Sequence, residues 1–510
     1  MSQAVLDHPH AHGNAAPRRR VSGEASGPET ASGPEVTGVP GTASVPELVA
    51  AARVARRAYD AFDQRAVDAI VRAIGKDVYD RAEMLARLAI DETGIGVYAD
   101  KVAKNRNKAR LIWNNLKDKP SRGIIGDDPD TGLILVAKPV GVVGSVAPVT
   151  NPIVTPMCNA MFALKTGNAV IFAPHPRAEQ CAVHLTSRFR DILREHGAPA
   201  DLVQVVRGGS LEATKELMRS VDVVVATGGE AMVRAAYSCG RPSFGVGAGN
   251  VPVIIDRGVD VARAVEDIVT GAGFDNGIIC SHEQFVLVPS ERYDACVAAF
   301  LDTGRVWHSD DPQVVDRFRE ALFPGGAMNR ALVGKSASFV GAMAGVVVPT
   351  SARVILLPAA GAGGADVLAR EKLCPVVAIL PYTDFDDALE KANANLRLEG
   401  AGHSAALHSR HETHIRRAGT RLPVSRLVVN QSCALAAGGS LTNGLAPTTT
   451  LGCGSWGGNS ISENLDYKHL MNLSRIGRPL PADAAPTDEE IWAEPAGAQS
   501  AGAAHAPVAP

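Results

Sequence analysis

The stretch Gly271–Gln284 reads GAGFDNGIICSHEQ and runs directly into the strand-like Phe285–Val288. Cys280 stands at the end of this glycine- and asparagine-bearing turn, where a thiolate can attack a carbonyl carbon while a neighbouring backbone N–H holds the oxyanion that forms. Most free cysteines are small buried apolar residues, so the position alone leaves both readings open. Ala147–Pro152 reads APVTNP, and the Asn151 amide is of a type that donates to a developing oxyanion, although spacing alone favours a plain Asn-Pro turn. Ala226–Glu230 reads ATGGE, a turn between strand and helix that suits a pyrophosphate at a helix N-terminus. It is not GxGxxG, and an ordinary strand-to-helix turn fits it as well. Ser243–Asn250, SFGVGAGN, contains no carboxylate.

Such groups need a scaffold, and the chain is long enough to build one. Its 510 residues allow two or three domains. Hydrophobic residues make up 46% and charged residues 21%, which is globular rather than disordered or fibrous composition. With 51 basic against 54 acidic residues, nothing points to a nucleic-acid or membrane-surface partner. The eight cysteines are scattered, with no CxxC and no His/Cys pair at metal-ligand spacing, which fits free thiols in a reducing cytoplasm and no metal site. Arg18–Arg20 is followed by VSGEASGPETASGPE rather than an apolar segment, so no export signal is read there, and no apolar run spans a membrane.

Residues 1–43 and 479–510 are rich in Ala, Gly, Pro and Ser and are expected to be disordered tails, the second interrupted only by Glu489–Trp492. Order is expected from Ser44, which with Glu47 has capping-box spacing, with Pro46 in the first turn. Leu48, Ala52, Ala55, Tyr59 and Phe62 then mark one helical face, and further helices are expected over 63–77, 81–92 and 96–116. Leu133–Ala137 reads as a short strand. From Val140, buried β-branched runs at 142–146, 170–172, 202–206, 221–226 and 251–255 alternate with helical stretches, implying a parallel sheet of the dinucleotide-binding type. After Cys280 a second α/β alternation follows, with strands at 285–288, 376–380, 405–407 and 427–430.

Taken together, APVTNP, ALKTGN, ATGG, FDNGIIC, EKLCP (Glu371–Pro375) and LGCGSWGGNSISEN (Leu451–Asn464) resemble the aldehyde dehydrogenase superfamily from about Pro46 to Arg478. More narrowly they resemble its coenzyme A-acylating branch, which holds the ethanolamine- and propanediol-utilisation enzymes, sulfoacetaldehyde dehydrogenase and the aldehyde dehydrogenase half of bifunctional aldehyde–alcohol dehydrogenases. The resemblance implies a Rossmann-like dinucleotide-binding domain over 44–270, an α/β catalytic domain over 271–437 and a closing segment over 438–478. The last shares a small oligomerisation extension with the strand near 133–137. By the same resemblance Cys280 is the nucleophile, Asn151 the oxyanion donor and His403 a histidine near the thiol, with a structural role as its alternative. Glu371 matches the glutamate that holds the nicotinamide ribose. Thr227 and Gly228 match the turn beneath nicotinamide and pyrophosphate, and Pro174 and His175 lie in the cofactor-binding APHPR stretch.

Two departures from hydrolytic relatives stand out. Where those enzymes carry a glutamate base, this chain has Val246, Gly247 and Ala248, so no water is activated and a thioester at Cys280 waits for another thiol. Where they carry a lysine for the adenosine ribose, Ala173 is expected, which leaves NAD favoured and NADP open. The implied reaction is reversible NAD-dependent oxidation of a small aldehyde, acetaldehyde or sulfoacetaldehyde, to its acyl-CoA. A hydrolytic aldehyde or semialdehyde dehydrogenase and a silent microcompartment cargo or scaffold are the alternatives. A homodimer or homotetramer is implied, with a microcompartment or alcohol-dehydrogenase partner left open.

Overall fold

The computed structural model describes residues 43–481 and 485–494. The expected tails 1–43 and 479–510 fall mostly outside the described residues, but Asp488–Ile491 forms a helical turn capped by Thr487. Four helices open the ordered chain: α1 (Val45–Tyr59), α2 (Gln64–Asp80), α3 (Ala82–Thr93) and α4 (Tyr98–Leu116). Their starts and stops follow capping chemistry. Ser44 and Glu47 form the capping box of α1, Asp63 accepts the Ala66 N–H at the head of α2, and left-handed Gly94 (φ 64°) ends α3.

Next come β1 (Gly123–Asp128) and β2 (Leu133–Pro139), an antiparallel pair. Then β3 (Val142–Ala147), helix α5 (Val154–Lys165), β4 (Ala169–Pro174), β5 (Val203–Val205), β6 (Val223–Ala226) and β7 (Ser243–Gly245) follow. These five strands form a parallel sheet in the order β5-β4-β3-β6-β7. The chain winds from β3 outward to β5, then returns to β6 on the other side of β3. In such a sheet ligands sit beyond the carboxyl ends of the strands where the winding reverses, here between β3 and β6.

The second sheet is built from β8 (Val251–Ile255), β9 (Glu283–Pro289), β10 (Val306–His308), β11 (Val354–Pro358), β12 (Val376–Tyr382), β13 (Gly402–His408) and β14 (Val424–Val429). It is parallel throughout, in the order β10-β11-β12-β9-β8-β13-β14. Finally β15 (Met471–Gly477) pairs antiparallel with β2 and completes a three-stranded sheet, β1-β2-β15.

One strand lies elsewhere than the alternation suggests. The sequence pattern groups β8 with the first sheet, yet it pairs with β9 and β13, so the chain changes sheet between Gly245 and Val251. A buried run such as VPVII looks the same whichever parallel sheet receives it. The short β7 and β10, and β11, are further strands outside the sequence reading. Both sheets are sandwiched by helices around fully buried residues such as Val143, Ile171, Phe172, Phe285, Val377 and Ile379, each contributing about 1.5–3 kcal/mol by leaving water. No described helix is long and apolar enough to cross a membrane.

Candidate active site

At the reversal point, β3 ends at Ala147 and leads into Asn151, while β4 and β6 on either side end at Pro174 and Ala226. Both neighbouring turns are stitched to β3: His175 N–H donates to the Ala147 carbonyl (3.1 Å) and Thr227 N–H to that of Val146 (3.1 Å). Pro174, His175, Thr227 and Gly228 thus share one edge. A side chain added at Gly229 would meet nothing within 4 Å, and one at Gly228 only Met232 at 3.8 Å, so the backbone ahead of helix Glu230–Tyr237 is open to a phosphate. His175 is exposed and accepts the Arg177 N–H on Nδ1 (3.1 Å); partial burial and then Arg177 hold its imidazole below the ordinary range. These residues fit a dinucleotide.

Cys280 is carried by an unusual turn. Asp275 (φ 52°), Asn276 (φ 57°) and Gly277 (φ 66°) are three left-handed residues in succession after helix Val261–Gly273. Asp, Asn and Gly tolerate this conformation best, and the surroundings still have to enforce it. They do so through the buried Asp275 carboxylate, which takes the Val97 N–H (2.8 Å), Lys101 Nζ (3.1 Å) and Lys104 Nζ (2.5 Å). The Asp275 N–H donates to Asp100 (2.8 Å), and Asn276 Nδ2 donates to the Gly334 carbonyl (3.0 Å). From the far side, Gly249 presses so closely that a Cβ there would lie 1.8 Å from the Cys280 carbonyl oxygen. No other residue fits. The Gly249 N–H donates to Glu371 Oε1 at 2.9 Å, which brings that carboxylate to the loop beside Cys280.

Lys104 does a second job. Its ammonium donates to Asn151 Oδ1 at 2.8 Å. An ammonium can only donate, so the oxygen of the amide must face the lysine, and Nδ2 is left free to donate elsewhere. Helix α4 therefore ties the turn before Cys280 to the amide of Asn151.

On the other flank lies Cys453, whose sulfur sits 3.5 Å from where a Gly247 side chain would begin and whose carbonyl a Cβ at Gly402 would meet at 1.7 Å. Arg426, 3% exposed, spends its guanidinium on the carbonyls of His403 (2.6 Å) and Gly402 (3.2 Å), Asn464 Oδ1 (3.1 Å) and Ser404 Oγ (3.3 Å). His403 is fully buried; its Nδ1 meets Ser404 Oγ at 3.1 Å and its Nε2 has no partner. Burial and the Arg426 charge push its imidazole down to about 3, so the ring is neutral near pH 7 and a weak base.

Burial keeps both the thiol and the neighbouring carboxyl in their neutral forms. Burial above all, then Glu371 and Cys453, pushes the Cys280 thiol up to about 12, with Arg426 pulling the other way. Burial lifts the Glu371 carboxyl to about 8. Lys108, one turn along α4 from Lys104, donates to the carbonyls of Gly438 (2.7 Å) and Thr448 (3.0 Å); burial lowers it to about 8 while the Cys158 and Cys280 sulfurs oppose that.

Glu283, at the start of β9, is 0% exposed; its Oε1 accepts from Cys433 N–H (2.6 Å) and Ser432 Oγ (3.2 Å), while Oε2 has no partner. Burial raises this carboxyl to about 8, so the folded protein holds a proton that the unfolded chain releases above about pH 4.5. Folding stability from this group is full below that value and falls by about 1.4 kcal/mol per pH unit up to about pH 8. In Glu283→Gln that slope is expected to vanish, so urea midpoints at pH 6 and 8 should move closer together than in the parent protein.

The structure therefore joins Cys280, Asn151 and Glu371 through Lys104, Asp275 and Gly249, and places His403 beside Arg426 and Cys453. Thr227 Oγ1 meets Thr450 Oγ1 at 2.9 Å, linking the crevice of the first sheet to the segment that carries Cys453. Lys104, Lys108, Arg426 and Cys453 escaped the sequence reading of single sites. Their signal was present: Lys101, Asn105, Lys108, Ile112 and Leu116 share one stripe of α4, with polar residues where apolar ones were due, and Arg426 interrupts a strand.

The chain matches the model of the aldehyde dehydrogenase family over residues 34–322. It is 52% identical over 446 residues, 88% of this chain and 98% of the relative, to the succinate-semialdehyde dehydrogenase (acetylating) of Clostridium kluyveri. It is 38% identical over 450 residues, 88% of this chain and 93% of the relative, to the sulfoacetaldehyde dehydrogenase of an Acholeplasma species. Among solved structures it is similar to an acetylating aldehyde dehydrogenase from Geobacillus thermoglucosidasius, with a TM-score of 0.83 and 32% identity, covering 87% of this chain and 97% of that one.

Proposed function

Because the chain belongs to the aldehyde dehydrogenase family, we propose that it converts a small aldehyde to its acyl-CoA through a thioester on Cys280. The observation that carries this reading is the loop pressed against Cys280. Ser243–Asn250 contributes no carboxylate there, and the place next to Gly247 is taken by the Cys453 sulfur. Glu371 is held by the Gly249 N–H and is assigned to the ribose of the cofactor instead.

In the proposed cycle the Cys280 thiol gives its proton to solvent and its sulfur bonds to the aldehyde carbon, as the C=O π pair moves onto oxygen. The oxyanion is held by Asn151 Nδ2, aimed by Lys104, and by the Cys280 N–H. A bound nicotinamide supplies the acceptor for the hydride that leaves the same carbon. The chain's part is to hold that adduct away from an activated water. The acyl group then passes from Cys280 to the coenzyme A sulfur, breaking one C–S bond as another forms and returning the thiol. Neutral His403, whose Nε2 is unpaired, leaves proton transfer to other groups, since an imidazole pushed down to about 3 is too weak a base to drive the exchange.

Thr227, Gly228, Pro174 and His175 would hold the dinucleotide. NAD is favoured because the arginine of the APHPR turn is engaged, Arg177 donating to the Thr93 carbonyl at 2.8 Å rather than standing free for a 2′-phosphate. The eight free cysteines suit the reducing cytoplasm. Exposed Ile124 and Ile476 on the edge strands β1 and β15 favour assembly into a dimer or tetramer through that sheet.

The test is reduced-nicotinamide formation by the purified protein with and without coenzyme A, offered acetaldehyde, sulfoacetaldehyde and succinic semialdehyde in turn. Sustained turnover is expected only with coenzyme A, with acyl-CoA as product. Equal sustained turnover without it, yielding free acid, would show that water deacylates Cys280 and would sink the acylating reading.

A further inference from the structure

Helix α4 points a row of ammonium groups at the candidate site. Lys101 and Lys104 share the Asp275 carboxylate. Lys108 does not. Among the described residues its charge has no carboxylate partner, only the Gly438 and Thr448 carbonyls, which use two of its three protons. A sunken cation without a counter-ion is costly unless an anion visits it. Arg426, the other cation near the thiols, already spends four of its five N–H donors on protein acceptors.

A second unspent group lies beside Lys108. The Thr449 hydroxyl is buried and has no partner in hydrogen-bond geometry. Thr449 directly follows Thr448, whose carbonyl Lys108 holds at 3.0 Å, so hydroxyl and ammonium belong to the same short segment. Buried polar groups left unpaired in a protein call for an explanation, and a ligand is one.

Spacing says which ligand. Lys104 holds Asn151, the proposed anchor of the aldehyde oxygen, and Lys108 follows it by four residues, about 6 Å along the helix. In a 4-oxo acid two methylenes separate aldehyde from carboxylate, roughly 5 Å from the reacting carbon to the carboxylate oxygens. We propose that Lys108 and Thr449 form the receptor for the carboxylate of a 4-oxo acid, and so set the substrate class of the thiol at Cys280. This deepens the acyl-transfer reading and rests on it for the identity of the reacting end.

The experiment compares kcat/KM, with coenzyme A present, for succinic semialdehyde and for butanal, a neutral aldehyde of equal length. The parent protein is expected to prefer the acid by about 100-fold. In Lys108→Met that ratio should fall by on the order of 100-fold, and in Thr449→Val by about tenfold, with Lys108→Arg keeping most of it. Thr449→Val removes one hydroxyl and keeps the proposal testable if the lysine variant folds poorly. A parent protein without preference, or variants that slow both aldehydes equally, would overturn the assignment. Retained preference for the acid in a protein that turns over steadily without coenzyme A would instead overturn the acylating reading and leave Lys108 in its role.

Discussion

Turnover of a Cys280→Ala variant should fall by at least about 10⁴-fold, because the proposed cycle carries the acyl chain on this sulfur between hydride loss and transfer to coenzyme A. The expectation is demanding, since a second thiol, Cys453, lies in the same site. Burial raises both thiols, and Cys453 is placed against Gly247 rather than on the turn aimed by Asp275. Steady-state rates with coenzyme A, and trapping of acyl-enzyme by mass spectrometry, check the result. Residual activity above about one hundredth of the parent rate, with the acyl group found on Cys453, would show that the wrong sulfur has been named. The high resting position of the Cys280 thiol, about 12, adds a corollary: the sulfur is protonated in the free protein, so its proton has to leave before or as the carbon–sulfur bond forms.

The second large effect belongs to Asn151. Removing its amide in Asn151→Ala should cost on the order of 10²–10³ in kcat, since a donor aimed at a developing oxyanion contributes about 2.7–4 kcal/mol. Substrate affinity should move far less, because the amide matters most when the carbonyl oxygen carries charge. Lys104→Met tests the aim rather than the donor. Without the ammonium at 2.8 Å nothing fixes which face of the amide is turned inward, and kcat should fall by about tenfold at similar KM. Lys104→Arg, which restores a donor, should recover part of the loss. Equal declines in kcat and thermal stability in both lysine variants would reduce Lys104 to a structural part of the Asp275 cluster.

The chemistry of this chain was more legible than its wiring. Cys280 and Asn151 stand in turns whose glycine, asparagine and proline content announces them, and Glu371 and His403 entered through a resemblance that covers nearly all the ordered chain. The left-handed run Asp275–Gly277 is also written there, for Asp, Asn and Gly are the residues that accept it. What tertiary structure alone supplies is who meets whom. A strand such as β8 carries no mark of the sheet that will take it. Lysines on an amphipathic helix read as a solvated face, yet Lys101 and Lys104 turn inward because Asp275, 174 and 171 residues later, waits for them. Cys453 sits in a glycine-rich motif whose role beside Gly247 depends on loops from three parts of the chain.

That long reach bears on how the protein is made. The strained turn ahead of Cys280 has little of its own to keep it in shape; its clasp is Val97, Lys101 and Lys104, which leave the ribosome well before it does. Synthesis from the N-terminus thus makes the residues of the clasp before the turn that depends on them. Until then the thiol is an ordinary one, without the geometry that makes it selective for a carbonyl. The nascent chain acquires its reactivity only after the part that disciplines it has been made.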